Sequence, residues 1–184
     1  MDTERWRHYA RARFFLLVNR PARAVEGLEA ALRLDPNFHR AATSLGYAHG
    51  LLGKDELALK AFRRALEIKP NDAVVLFDLG FIHDRLRQYE PAIEAFEQSV
   101  VLNPRLDRAW YGLGLARAHR GQHEQAALAL EKAAQLQPMN PHAWYALGVA
   151  YYTIGESDKL AATIAHLDRF DPKMALRLTQ ESSA

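Results

Sequence analysis

The stretch AWYGLGL at residues 109–115 opens the segment that decides the fold of this chain. It carries the pattern Trp-x2-Leu-Gly and leads, after a second apolar run, to Pro138. The same pattern recurs 34 residues further on, as WYALG at residues 144–148, and leads to Pro172. Such self-similarity at a fixed period indicates one short module copied in tandem.

A 34-residue register fits residues 5–174 without an insertion or a deletion. Prolines stand one period apart, and each is expected to separate two helices, because proline cannot donate a helical hydrogen bond and disfavours a helical residue before it. These prolines are Pro36, Pro70, Pro104, Pro138 and Pro172. The register predicts five repeats, at residues 5–38, 39–72, 73–106, 107–140 and 141–174.

Each repeat is predicted to be a helix (A), a tight turn and a second helix (B). The third repeat has Arg87 at the turn, but Pro91 follows and suits the first turn of a helix. From Leu57 to Ala65 apolar residues recur every three or four positions, which is a helical period, and no stretch alternates long enough to predict a strand. The other four repeats have a residue that tolerates positive φ at the turn, where many helices end: Asn19, Gly53, Gly121 and Gly155.

The pattern Trp-x2-Leu-Gly, then Ala-x3-Phe (as at Ala58 and Phe62), then Pro within 34 residues resembles the tetratricopeptide repeat. The resemblance implies an all-α fold, a right-handed superhelix of five helix–turn–helix repeats that forms a single domain over residues 1–184. Residues from about 173 to 181 are expected to form a capping helix that docks on the last helix B, because so short a helix is unstable alone.

Composition limits the function classes. The formal net charge of +2 is too small to indicate a polyanion partner, and the absence of cysteine excludes disulfides and thiolate chemistry. No phosphate-binding loop, nucleophile elbow or HExxH motif occurs in the sequence, so no enzyme, cofactor or small-molecule substrate is predicted. Because no apolar run is long enough for a secretory signal or a membrane span, the predicted location is cytoplasmic.

The histidines invite a metal hypothesis. His119 and His123 have a helical ligand spacing, but Gly121 lies between them at the predicted turn, so they are not expected to share a helix face. His49 and His83 occupy equivalent positions in adjacent repeats, where the family has a partly buried tyrosine. They are expected to be hydrogen-bonded structural residues, and no metal site is predicted.

In the family that this chain resembles, the A helices line a concave groove. The fifth position of each repeat is aromatic in four of five repeats here, which favours peptide binding, because exposed aromatics and arginines are enriched at interfaces. The alternative is that these rings are half-buried against neighbouring A helices for structural reasons. The candidate peptide-binding residues are Tyr9, Arg13, Arg40, Thr43, Tyr47, Phe77, Phe81, Arg108, Tyr111, Leu115, His119, Tyr145 and Tyr152.

The leading hypothesis is a non-enzymatic scaffold that binds a peptide segment of a partner protein in this groove. The residues with which chaperone-docking members clamp two carboxylates are absent, although Arg13, Arg40 and Arg108 remain available to one acidic group. One alternative is an assembly chaperone for a subunit of a secreted or membrane complex. Another is RNA or membrane-surface association through the basic first helix, which carries Trp6 and Phe14 among its arginines. The favoured interpretation of that helix is a solvated cap at an exposed end of the array. Self-association as a homo-oligomer is a further option.

Overall fold

The computed structural model describes residues 2–183, and these residues form eleven α-helices and no strand. The all-α fold class is therefore confirmed. The helices are α1 (Asp2–Leu17), α2 (Pro21–Leu34), α3 (His39–Leu51), α4 (Asp55–Ile68), α5 (Ala73–Arg85), α6 (Tyr89–Leu102), α7 (Asp107–His119), α8 (His123–Leu136), α9 (Pro141–Thr153), α10 (Ser157–Asp168) and α11 (Pro172–Ser182).

The described residues divide into two compact units, an N-terminal unit that ends at Gln88 and a C-terminal unit that begins at Tyr89. In the N-terminal unit α1 packs on α2, α2 on α3, α3 on α4 and α4 on α5, while α3 also contacts both α1 and α5. The A helices α1, α3 and α5 are therefore neighbours, and their outward side is called the α1–α3–α5 face below. In the C-terminal unit each helix from α6 to α11 packs on the next, and α9 contacts both α7 and α11.

The turns between A and B helices have the geometry that the sequence predicts. Backbone φ is positive at Asn19, Gly53, Gly121 and Gly155. Arg87 adopts the same conformation, with φ 57°, although a side chain there costs roughly 1 kcal/mol. The helix that follows, α6, begins at Tyr89 and includes Pro91 in its first turn.

The helices approach closely where a glycine meets a large side chain of a neighbouring helix. A Cβ atom on Gly46 of α3 would lie 2.6 Å from the ring of Phe62 on α4, so that only a glycine fits there without displacing the ring. In the C-terminal unit a Cβ on Gly114 would lie 2.5 Å from Leu130. These contacts explain why the Leu-Gly pair of one helix and the Phe or Leu of the next recur together.

The predicted capping helix is present as α11. Its first turn is fixed by Pro172 and by Asp171, whose side chain accepts a hydrogen bond from the backbone N of Met174 at 3.0 Å. Leu178 is buried and covers Gly148 of α9. With Leu167 it forms a small core, and α11 thereby packs on α9, the last A helix.

The two structural histidines are buried as expected, but their partners differ. His83 Nδ1 lies 2.7 Å from Gln88 Oε1, whereas His49 Nδ1 is buried without a hydrogen-bond partner. Lys54 occupies in its repeat the place that Gln88 has in the next, and a lysine cannot accept the bond. Burial, reinforced by the charge of Lys54 and opposed by Glu29, lowers the pKa of His49.

We expect Lys54→Gln to raise the free energy of unfolding by about 1 kcal/mol, because the glutamine would pair with His49 as Gln88 pairs with His83. A lowered folded-state pKa means that the unfolded chain binds the proton more tightly, so stability falls as the pH drops below the unfolded value of 6.5. The Lys54→Gln substitution removes the lysine charge and thereby raises the folded-state pKa of His49. The difference in the free energy of unfolding between the variant and the wild type should therefore widen as the pH falls. Urea denaturation between pH 7.5 and 5 measures both effects.

Lys132→Gln, on the exposed side of α8, is the matched control and should leave the pH dependence unchanged. His39 has a pKa that is also lowered by burial, and it contributes equally to the wild type and to both variants. An Lys54→Gln protein with wild-type stability at every pH would contradict the assignment.

Among residues 2–183 no helix is both long and apolar enough to cross a membrane.

Candidate peptide-binding surface

Several large apolar side chains are exposed on the α1–α3–α5 face of the N-terminal unit. Trp6 on α1 is 40% exposed, Tyr47 on α3 51%, and Val74 and Phe81 on α5 are 44% and 50% exposed. Scattered single apolar residues are normal on a protein surface, but several on one set of neighbouring helices indicate an interaction surface.

Arginine side chains lie beside the rings of this face. The guanidinium of Arg40 is 5.7 Å from the centroid of Trp6, and that of Arg85 is 5.7 Å from the centroid of Phe81. Arg85 also donates to Asp55 Oδ2 at 3.0 Å and to the carbonyl oxygen of Gly50 at 3.1 Å, which fixes its position. The face therefore combines apolar area with cations whose orientation is set by neighbouring groups.

The predicted fifth-position residues of this unit are less exposed than those four side chains. Tyr9 packs on the buried ring of Phe38 with their centroids 5.1 Å apart. Thr43 is half-buried, and its hydroxyl is buried without a hydrogen-bond partner. Phe77 is half-buried and lies 6.4 Å from Phe81. Arg13, the other predicted site residue of α1, is exposed.

In the C-terminal unit the two fifth-position tyrosines make contacts within the protein itself. Tyr111 packs against the core around Leu130, and burial raises the pKa of its hydroxyl. The Tyr145 hydroxyl donates to the Glu181 carboxylate on α11, and Arg177 lies 5.0 Å from its ring centroid. Burial is the larger cause that raises the pKa of Tyr145, and the hydrogen bond and negative charge of Glu181 raise it further.

The remaining predicted site residues of this unit lie at the surface or at its margin. Tyr152 and Arg108 are exposed, and Leu115 is half-buried. His119 is exposed and packs on Tyr89 with their ring centroids 4.9 Å apart. It ends α7 whereas His123 begins α8, and no group of three His, Cys, Asp or Glu side chains suited to a metal occurs in the described part of the chain.

The structure exposes the ninth position of the repeat more than the fifth in the N-terminal unit. Tyr47 and Phe81 occupy the ninth position, and Thr43 and Phe77 occupy the fifth. Both ninth-position residues were among the candidates, and the apolar Trp6 was not.

These helix hairpins, which pack through glycines and repeat at a constant interval, define an α-helical tandem-repeat protein. A family model described as TPR repeat matches residues 114–155, and two described as Tetratricopeptide repeat match residues 7–73 and 73–106. The chain belongs to the tetratricopeptide repeat family. Members of this family are typically non-enzymatic interaction scaffolds.

Solved structures share the fold at low sequence identity. The chain in the crystal structure of MamA protein has 22% sequence identity to this chain. The alignment covers 95% of this chain and 96% of that chain, with a TM-score of 0.86. YrrB, described as a TPR protein with an unusual peptide-binding site, is 22% identical over 94% of this chain and 90% of its own, with a TM-score of 0.81. The pilF protein of Pseudomonas aeruginosa is 21% identical over 97% and 84%, with a TM-score of 0.82. No curated protein matches the sequence.

Proposed function

We propose that this protein is a non-enzymatic interaction module that binds a peptide segment of a partner protein on the α1–α3–α5 face. The observation that carries the proposal is the exposure of Trp6, Tyr47, Val74 and Phe81 on three neighbouring helices. Packing within the unit leaves their outer surfaces in water, and a partner that covers them gains roughly 25 cal/mol for each Å² of apolar area that it removes from water. The peptide-binding site named for YrrB, which has the same fold, supports the proposal.

The residues beside the rings indicate the chemistry of the partner segment. Arg40 lies over Trp6, and the exposed Arg13 is on the same helix as Trp6. A segment that combines an aliphatic or aromatic anchor with an acidic side chain would fill the apolar area and pair with one of these cations. In the C-terminal unit the corresponding contacts are proposed at Arg108 and Tyr152, together with Leu115, His119 and the half-buried Tyr111 and Tyr145.

The test uses a peptide selected from a random displayed library on the wild-type chain, then synthesised and titrated by calorimetry. We expect Tyr47→Ala combined with Phe81→Ala to weaken its binding at least about tenfold, because both rings would lose their contacts with the peptide. The far-UV circular dichroism should be unchanged, since both rings are about half exposed in the free protein.

The matched control replaces two apolar residues of the same unit that lie on B helices, Leu34→Ala with Leu57→Ala, which are 37% and 46% exposed. This variant should bind the peptide with wild-type affinity. Equal losses in both variants, or no loss in the first, would contradict the assignment. Affinity that falls with added salt and that Arg40→Ala lowers indicates an acidic segment, whereas salt-independent binding of an apolar segment indicates chaperone-like shielding.

A further inference from the structure

The side of α1 that faces away from α2 and α3 is apolar along its centre. Ala10, Phe14 and Leu17 follow one another there at helical spacing, and Val18 comes directly after the helix. Phe14 is 59% exposed, Leu17 84% and Val18 43%, although the opposite side of the same helix already buries Ala12. The core therefore does not account for these side chains.

Arginines flank this apolar strip on both sides. Between residues 5 and 25 the sequence has six arginines and neither aspartate nor glutamate. Arg7 and Arg11 lie on one side of the strip and Arg13 on the other, while Arg20 stands at the turn that follows, and all four are exposed. The guanidinium of Arg11 lies 5.7 Å from the ring centroid of Phe15.

An apolar strip with cations on both flanks suits the surface of an anionic bilayer. A helix that lies in the interface buries its apolar side at the level of the headgroups, and flanking arginines extend to the phosphates. Each basic residue close to such a surface adds to the attraction by the anionic lipids, and added salt screens that attraction. The approach needs no rearrangement, since Leu17 and Phe14 protrude in the structure.

Two other occupants fit the strip less well. RNA in single strands is held by stacking on aromatic rings, but the most exposed residue here is the aliphatic Leu17. A second copy of the chain packed strip to strip would bring two sets of arginines together, and like charges repel across an interface.

We propose that the strip formed by Ala10, Phe14, Leu17 and Val18 and its flanking arginines binds the surface of membranes rich in anionic phospholipid. The strip adjoins the α1–α3–α5 face on α1, where Arg13 borders both, but its apolar side chains are not among the proposed peptide contacts, so substitutions at Phe14 and Leu17 test the membrane site separately from the peptide-binding proposal.

Vesicle flotation with the full chain tests the proposal. We expect the chain to float with vesicles of equimolar phosphatidylcholine and phosphatidylglycerol and to stay in solution with phosphatidylcholine alone. Phe14→Ser combined with Leu17→Ser should reduce the bound fraction at least about tenfold, because most of the inserted apolar area is removed. Arg7→Glu combined with Arg20→Glu should reduce it similarly.

The matched control is Val101→Ser with Leu128→Ser, which removes two apolar residues of comparable exposure, 77% and 66%, from other helices. It should bind vesicles as the wild type does. Flotation with neither vesicle type, or flotation that Phe14→Ser and Leu17→Ser leave unchanged, would overturn the proposal. Binding of a single-stranded RNA oligonucleotide, or self-association in sedimentation velocity, that these substitutions abolish while no vesicle binding occurs would also overturn it.

Because the chain has no cysteine, insertion can be observed at a single site. Ala10→Cys labelled with an environment-sensitive fluorophore should show a blue-shifted, brighter emission on addition of the anionic vesicles. Gln98→Cys, on the exposed side of α6, should show none. Equal responses at the two positions would argue against an oriented contact through α1.

Discussion

Replacing Phe62 by alanine is expected to lower the free energy of unfolding by about 3–5 kcal/mol. Phe62 is 2% exposed, and its ring lies directly against the backbone of Gly46, where even a methyl group has no room. No side chain on Gly46 can move into the space that the ring leaves, so the cavity persists. Urea denaturation followed by circular dichroism measures the loss, and hydrogen exchange should place it in α3 and α4.

Phe14→Ala makes the same chemical change at a ring that is 59% exposed, and it should change the stability by less than about 0.5 kcal/mol. Comparable losses in the two variants would mean that the glycine–phenylalanine contact does not hold α3 against α4. A loss at Phe62 with unchanged exchange in α3 would contradict the placement of its ring on Gly46.

Much of the fold could be predicted from the sequence because the determinants are local and repeated. Positive φ at Gly121 and Gly155 follows from residue type, and the ends of helices follow from prolines at a constant interval. Periodicity alone says less about how far each side chain is buried. Leu57 belongs to the apolar pattern of α4, yet it is 46% exposed, whereas Ala58 beside it is fully buried.

The details of the candidate site depend on contacts between residues that are distant in the chain. The sequence shows an aromatic residue at Tyr145, but not that its hydroxyl donates to Glu181, because the position of α11 decides that contact. Likewise Lys54 and Gln88 stand at equivalent positions, and only the structure shows that one histidine is thereby paired and the other is not. Function was harder to predict than fold because it depends on which side chains the packing leaves exposed.

The second large effect is expected at the C-terminal helix, where Leu178→Ala should destabilise the C-terminal unit by about 3 kcal/mol. Leu178 is 1% exposed and sits on Gly148, so that a Cβ at that glycine would lie 2.3 Å from its Cδ2 atom. Helices of this length are marginal in water, and burial of Leu178 with Ala175 is what keeps α11 folded. Denaturation of the variant should show the loss, with early exchange of the amides of α11.

Leu176→Ala provides the control, because it makes the same change in the same helix at a residue that is 59% exposed. It should be nearly neutral, since alanine is a better helix former and little buried area is lost. If α11 only rested on the surface, the two substitutions would have similar small effects and removal of the helix would leave α9 protected. A large loss of stability in Leu178→Ala alone, with faster exchange in α9, shows instead that α11 completes the core over Gly148. In this respect α11 takes the place that a further repeat would have beside α9.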